Sequence, residues 1–306
     1  DDLLCNRGFV IKVYDGNAYG EYSFNDISEE KIEDIVSMVK SVVALKESVN
    51  GMTLSQYKQL EDEPCTFCES TDYEIAPEDM GDEAILAKLT EIKDDALLYD
   101  KKILNATVGL STQKYSKLFL SPNRDMEQNV MWACGMLMVD AKKDAVVKYS
   151  FKGFSNLGGI EIMRDIRGGI GHVGKNTLEL LEASPIEPGE YDCICTPEVT
   201  GMIAHEAFGH GVEMDMFVKD RALAKSYVGK DVAAPVLTMH DGANMACEHE
   251  VASYFFDDEG VLSKDTVVIK DGVLQTGISD EQSAMSLGTV PTGNGRRESY
   301  KRKAYT

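Results

Sequence analysis

The stretch TPEVTGMIAHEAFGHGVEMD, residues 196–215, decides how the C-terminal third of the chain is read. Thr196 suits an N-cap and Pro197 the first helical position, so a helix begins here. Val199, Met202, Ile203 and Ala207 recur at helical spacing, which places His205 and Glu206 in mid-helix. The second histidine, His210, follows five residues after the first. On a regular α-helix, positions four apart differ by about 40°, and positions five apart by about 140°. Two imidazoles five apart therefore point to different faces. For both to reach one ion, the helix must insert a residue as a π-bulge or break just before His210. Gly209 and Gly211 flank His210, and glycine lets a backbone leave helical geometry at little steric cost.

With that geometry, the residue types define a chemistry. Two neutral imidazoles hold Zn²⁺ or another divalent transition metal, a third protein ligand completes the shell, and one position stays open for water. The metal acidifies that water and polarises a carbonyl. Glu206, next to His205, is placed to take the water's proton and pass it to a leaving amine. The plain alternative is a pair of histidines near a helix end with no shared ligand. Glu213 and Asp215 follow His210; they read either as carboxylates that orient a ligating histidine or as a solvated acidic turn.

Composition narrows the class. The chain has 306 residues, long for one compact core, and reads as two domains or one large one. Hydrophobic residues make up 43% and charged residues 27%, as in ordinary globular proteins. A net charge of −21 repels phosphate backbones, which disfavours nucleic acid as a partner. No run of about 18 apolar residues offers a membrane span, and no charged-then-apolar leader precedes the fold. Seven scattered cysteines fit a reducing compartment better than a disulfide framework. The chain starts at Asp1 and ends in KRKAYT, and both ends read as cut from a longer gene product.

The pattern along the chain is α+β: a mixed α/β N-terminal region over 1–184 and a β-rich C-terminal domain over 185–306 that carries the motif helix. FVIKVYDGNAYGEYSF, 9–24, alternates around an Asp15-Gly16-Asn17 turn. A helix follows, with Asp26 as N-cap and an apolar face of Ile32, Ile35, Val36, Val39, Val42 and Val43. Residues 50–78 lack periodicity and read as a polar, acidic loop or crossover. A helix is expected over about 79–101, strands joined at SPNRD and DAKKD over 103–155, and a glycine-broken helix over about 160–183. SPIEPGEYDCIC, 184–195, reads as a boundary leading into a short strand that carries Cys193 and Cys195. FFDDEGVL and VVIKDGVLQTG each read as strand–turn–strand.

Several smaller signals are weaker. Cys65 and Cys68 form a C-x-x-C without a second pair, so a zinc knuckle is disfavoured. GGIGHVGK, 168–175, fits neither standard phosphate-loop spacing, and His172 reads as structural. MHDGANMACEHE, 239–250, holds His240, Cys247, His249 and Glu250 at no standard zinc spacing and reads as a loop. Arg296 and Arg297 stand together in a chain poor in positive charge. They read either as binders of a substrate carboxylate or carbonyl, or as an inter-domain salt bridge. Gly293 and Gly295 suggest a tight loop beside another backbone.

The ordered set of LEASPIEPGEYDCICTPEVTGMIAHEAFGHGVEMD, DDEGV, IKDGVL and PTGNGRRES resembles the TldD/PmbA family, whose early name was modulator of DNA gyrase. The resemblance extends over nearly the whole chain and is strongest from about 181 to 300. It implies a cytoplasmic metallopeptidase that cleaves unfolded or extended peptides, including peptide-maturation substrates, in an enclosed cavity. It implies His205 and His210 as metal ligands and Glu206 as the catalytic glutamate. It places Gly293, Asn294, Gly295, Arg296 and Arg297 beside the active site, as substrate-binding candidates. It also implies a dimer, either of identical chains or with a PmbA/TldE-like subunit that lacks the metal motif. The competing implication is a non-catalytic or regulatory subunit of the same family. The family's third ligand is a cysteine expected beyond residue 306, so the 306-residue form is expected to bind metal weakly. Metal analysis that finds one tightly held equivalent per chain would contradict this.

Overall fold

The computed structural model describes residues 7–15, 18–47, 63–243 and 250–306. Strands β1 (Phe9–Asp15) and β2 (Ala18–Phe24) form an antiparallel hairpin whose turn residues 16 and 17 lie outside the described set. Helix α1 (Ile32–Glu47) packs on that hairpin. Its expected apolar stripe is only half covered: Ile35, Val39 and Val42 are half-buried, while Ile32 and Val36 are exposed. Asp26 is not the cap; a short 3-10 turn capped at Ser28 precedes the helix, and Asp26 pairs with Lys31 instead.

Four strands form the central sheet: β3 (Cys65–Ser70), β4 (Ile103–Leu120), the 20-residue β5 (Arg124–Lys143) and β6 (Val146–Asn156). The polar loop expected over 50–78 is thus interrupted by β3, which pairs parallel with the start of β5; residues 50–62 lie outside the described set. Its CTFCES alternation was too short and too polar to separate from loop. Helices α2 (Pro77–Met80) and α3 (Asp82–Leu97) lie between β3 and β4, and α4 (Met163–Gly168) and α5 (Ile170–Glu182) follow β6. The helix expected over about 160–183 is divided, with the break between α4 and α5 at Gly168–Gly169, two of the four glycines that make the stretch irregular.

β5 is the spine of the sheet. It pairs antiparallel with β4 along nearly its whole length and with β6 over 133–143. Its burial changes face half-way. Met126, Gln128 and Val130 are buried, then Met131, Ala133, Leu137, Val139 and Ala141. Side chains alternate across a strand, so this phase change means that β5 serves one core on each face. Of the odd-numbered set, Leu137, Val139 and Ala141 pack with Ile92, Ala96, Ile160, Ile166 and Val173 of the helical layer. On the other face, Gln128 reaches the C-terminal region: its Nε2 donates to the Phe256 carbonyl at 2.8 Å and its Oε1 accepts from Phe255 N at 2.9 Å.

Residues 184–196 form no strand; the segment is irregular and exposed, Cys193 and Cys195 included. Two prolines and a glycine in twelve residues interrupt any ladder. Beyond it come α6 (Pro197–Ala204), α7 (Met214–Val218), the antiparallel sheet β7 (Met239–Asp241), β8 (Thr266–Lys270) and β9 (Val273–Leu274), and α8 (Glu281–Leu287). The β8–β9 hairpin turns at Asp271 and Gly272, whose φ values of 50° and 83° give the primed turn that matches strand twist. FFDDEGVL closes more loosely, with a single bridge between Phe256 and Leu262. Among the described residues, no helix is long and apolar enough to cross a membrane.

The DDEG loop, 257–260, joins these parts. Asp257 is fully buried, and its carboxylate accepts from Glu259 N (2.8 Å), Val261 N (3.0 Å) and Gly295 N (2.8 Å). Burial and the neighbouring Glu259 charge outweigh these donors and push its pKa up to about 7. Asp258 pairs with Lys117 of β4 at 2.5 Å, and Arg124 of β5 donates to the Gly260 carbonyl at 2.7 Å. Glu259 pairs with Lys12 of β1 at 2.5 Å.

Gly260 has φ +81, and a Cβ there would lie 2.4 Å from the Phe119 ring. Gly229 has the same φ with open space around it. Gly260→Ala is expected to cost about 2–4 kcal/mol, backbone strain plus overpacking, and Gly229→Ala only about 1–2 kcal/mol. Equal losses in urea denaturation would show that the loop does not press on the sheet end.

Candidate metal centre

Helix α6 ends at Ala204, and His205–Gly209 continues as one π-helical turn before a 3-10 turn over His210–Val212. The extra residue is therefore absorbed by widening the helix. The two imidazole rings lie with centroids 4.6 Å apart and planes at 73°. Thr196 occupies the N-cap position with extended backbone, and Pro197 opens the helix. The flanking glycines do less than the sequence suggests. Gly209 has φ −49 and ψ −59, within the helical region, and a Cβ there would meet nothing closer than 3.8 Å. A π-turn keeps right-handed helical dihedrals while adding one residue per turn, so no left-handed residue is required.

His210 is oriented by a carboxylate: its Nδ1 lies 3.0 Å from Glu213 Oε1. In the tautomer that donates to Glu213, Nε2 is left as the unprotonated nitrogen that a metal requires. Asp215 points elsewhere, to Lys219 at 2.6 Å. His205, Glu206 and His210 are all exposed, so the described residues leave the site open rather than enclosed. The donor set, two adjacent imidazoles with one tautomer fixed by a carboxylate, fits two positions of a zinc-type shell. Among the described residues, no group of three His, Cys, Asp or Glu completes it.

The turn is fixed from beneath and from one side. Val212 is buried with Val268, Ile269 and Leu274, and Phe208 and Met239 pack on that cluster. Backbone bonds tie the segment after the turn to residue 278: Ile278 N to the Val212 carbonyl (3.0 Å) and Met214 N to the Ile278 carbonyl (2.9 Å). Ser279 N then donates to Thr292 Oγ1 at 2.6 Å, and Thr292 Oγ1 donates to Asn294 Oδ1 at 2.7 Å. Asn294 Nδ2 in turn donates to Asp241 Oδ1 at 3.1 Å.

The TGNGRRES loop, 292–299, is thus brought near the site, but its arginines are engaged away from it. Arg297 forms a bidentate pair with Glu21 of β2, at 2.8 and 3.1 Å, with both side chains nearly buried. Arg296 stacks 4.5 Å over the Tyr254 ring and reaches Asp258 at 3.4 Å. Gly293 has φ +79 and packs against the Leu262 carbonyl, while Gly295 gives its N–H to Asp257. Of the two readings open to the arginine pair, Arg297 realises the salt bridge between distant parts of the chain.

His240 pairs with Asp265 at 2.9 Å and His172 lies against Asn176 at 3.0 Å. Cys247 and His249 lie outside the described residues. Cys65 and Cys68 sit on β3 as free thiols. Asp241 is the residue that the sequence did not single out. It lies inside MHDGANMACEHE, where the histidines and the cysteine drew the attention, and one acid among 52 carries no local signal.

Residues 188–306 match the family model of the PmbA/TldA metallopeptidase C-terminal domain. A metalloprotease of Methanocaldococcus jannaschii is 27% identical over 298 residues, covering 95% of this chain and 63% of that protein. A zinc metalloprotease TldD homolog of Saccharolobus solfataricus is 32% identical over 167 residues, covering 54% of this chain and 37% of that protein. The crystal structure of TldE from Thermococcus kodakarensis superposes with a TM-score of 0.66 at 18% identity, covering 96% of this chain and 65% of that one. The chain therefore spans less than two thirds of each of these proteins.

Removing Arg297 would take the bidentate partner from a nearly buried Glu21, with Lys12 at 4.0 Å still beside it. Arg297→Ala is expected to lose about 3–5 kcal/mol, with Glu21→Ala non-additive to it in a double-mutant cycle followed by urea denaturation. An unchanged midpoint with weakened peptide binding would instead make Arg297 a substrate contact.

Proposed function

Since the chain belongs to the TldD/PmbA family, we propose that it is a metal-dependent peptidase of the TldD type, acting on extended or unfolded peptides. The observation that carries this reading is the π-turn, which sets His205 and His210 face to edge at 4.6 Å with Glu206 between them in sequence. His205 and His210 would hold the metal, zinc by the chemistry of the donor set. When bound, the metal supplies a Lewis acid for the scissile carbonyl and acidity for the attacking water.

The chain's own residues do the rest. Glu213 holds the His210 ring in one tautomer through Nδ1. Glu206 takes the proton of the attacking water on its carboxylate and delivers it to the amine as the peptide bond breaks. Asn294, only partly buried, would be the residue of this loop that faces the substrate, with the buried Gly293 and Gly295 shaping the loop on either side of it. Arg296 stands next to them, more exposed than Arg297, and is the better placed of the two to reach a substrate carbonyl. The open face above the turn suits closure by a further subunit, of the same chain or of the TldE kind. We read residues 1–184 and 185–306 as two domains joined by the DDEG clasp, in a cytoplasmic protein.

Glu206→Gln in the native protein is expected to reduce peptide cleavage by about 10²–10⁴-fold while metal content stays unchanged. Undiminished cleavage would remove Glu206 from the reaction. A protein that holds no metal and cleaves no peptide would favour the non-catalytic subunit instead.

A further inference from the structure

Of the charged side chains gathered around Asp258, that of Arg296 is the most open: it is 44% exposed, against 20% for Lys117 and 15% for Asp258 itself. It is nevertheless held in one place. Its backbone is bridged to Tyr305 in both directions, at 2.7 and 2.9 Å. The N–H groups on either side are fixed as well, Gly295 on Asp257 and Arg297 on Asp258 Oδ2 at 2.7 Å. The guanidinium lies 4.5 Å from the centroid of the Tyr254 ring. That tyrosine is buried, and its hydroxyl donates to the Gly293 carbonyl at 2.8 Å, so the platform is rigid. Arg296 Nε lies 3.4 Å from Asp258 Oδ2, and among the described residues no carboxylate bonds to its two terminal nitrogens. The charge around it is not balanced. Lys117 Nζ also pairs with Asp258, 2.5 Å from Oδ1, so two cations share one carboxylate. Asp257 already accepts three backbone N–H bonds, and Glu259 turns to Lys12. This local excess of positive charge runs against a net charge of −21.

We propose that Arg296 is a carboxylate-binding site, preorganised by Tyr254, Asp258 and the Tyr305 bridge, and that it selects peptides by a carboxylate they carry. This deepens the peptidase reading and rests on it only in taking the ligand to be a peptide. A guanidinium whose Nε is engaged presents its two terminal nitrogens as a fork, which matches the two oxygens of a carboxylate. A backbone carbonyl offers one oxygen and uses half of that geometry. Because the side chain is already fixed, little of its rotamer freedom is left to lose on binding. The acidic surface disfavours polyanions, which leaves a single carboxylate, at a chain end or on an acidic side chain, as the matching ligand. The arginine pair thus divides its work: Arg297 fastens the fold, and Arg296 receives the ligand.

The test follows the Nε–Hε resonances of arginine-labelled, metal-free protein by NMR, with the Arg296 signal assigned by its loss in Arg296→Lys. The probes are acetyl-tetra-alanine with a free C-terminus, the same peptide as its amide, and an acetylated tetrapeptide amide with one internal glutamate. At least one of the two acids is expected to move the Arg296 signal, and the neutral amide to leave it in place. A shift with the free acid supports recognition of chain ends; a shift with the glutamate peptide supports recognition of acidic side chains. The Arg297 signal, held by Glu21, should stay in place throughout. An Arg296 signal that neither acid moves, or that the neutral amide moves as far, overturns the proposal. So does inorganic phosphate that moves it as far as the acids at the same concentration. In the native, metal-loaded protein, Arg296→Lys is expected to raise KM for the acid that binds by about 10-fold more than for the neutral amide. A protein that binds the acids in this way and cleaves no peptide overturns the peptidase reading and leaves the Arg296 site standing.

Discussion

Two imidazoles five residues apart cannot face one ion from an α-helix, and the metal centre depends on how the chain removes that obstacle. It does so with one π-helical turn, His205–Gly209, between α6 and His210. A widened turn is held in place only if its surroundings fix both ends. α6 enters it as a regular helix. Its exit is pinned by buried Val212 and by the backbone bridges from residues 212 and 214 to Ile278. The apolar cluster around Val268, Ile269 and Leu274 supplies the floor.

A second buried group organises the rest. The Asp257 carboxylate takes N–H bonds from its own loop and from Gly295, so DDEG and GNGRR fold as one unit. The charges beside it then reach outward: Glu259 to Lys12, Asp258 to Lys117, and Arg297 to Glu21. Burial opposes the charge on Lys12, yet Glu259 and Glu281 more than offset it, so its pKa is raised. Lys117 goes the other way; burial lowers its pKa in spite of Asp258. Buried charges of this kind add little net stability, but each is costly to leave unpaired, which makes the clasp specific to one arrangement of hairpin, sheet and C-terminal region.

Much of this was legible in the sequence where a local rule sufficed. That the helix widens or breaks before His210 follows from the 3.6-residue period and the five-residue spacing, and the β8–β9 turn from Asp271-Gly272; the structure takes the π-turn. The conformational freedom of Gly209 is not what permits the π-turn, because this glycine keeps helical dihedrals. What the sequence hid depends on distant partners. β3 is too short to declare itself and exists because β5 offers an edge. Residues 191–195 alternate like a strand, but no strand among the described residues pairs with them. Arg297 meets Glu21 across 276 positions, and Asp241 is placed by Asn294 across 53, so neither contact leaves a trace in spacing.

The most direct test of the shared site is X-ray absorption at the zinc edge on the zinc-loaded protein, compared with His205→Ala and His210→Ala. The expected spectrum shows two imidazoles per zinc, reduced to one in each variant. A wild-type spectrum with fewer than two imidazoles, or one that His210→Ala leaves unchanged, would contradict a metal held across the π-turn.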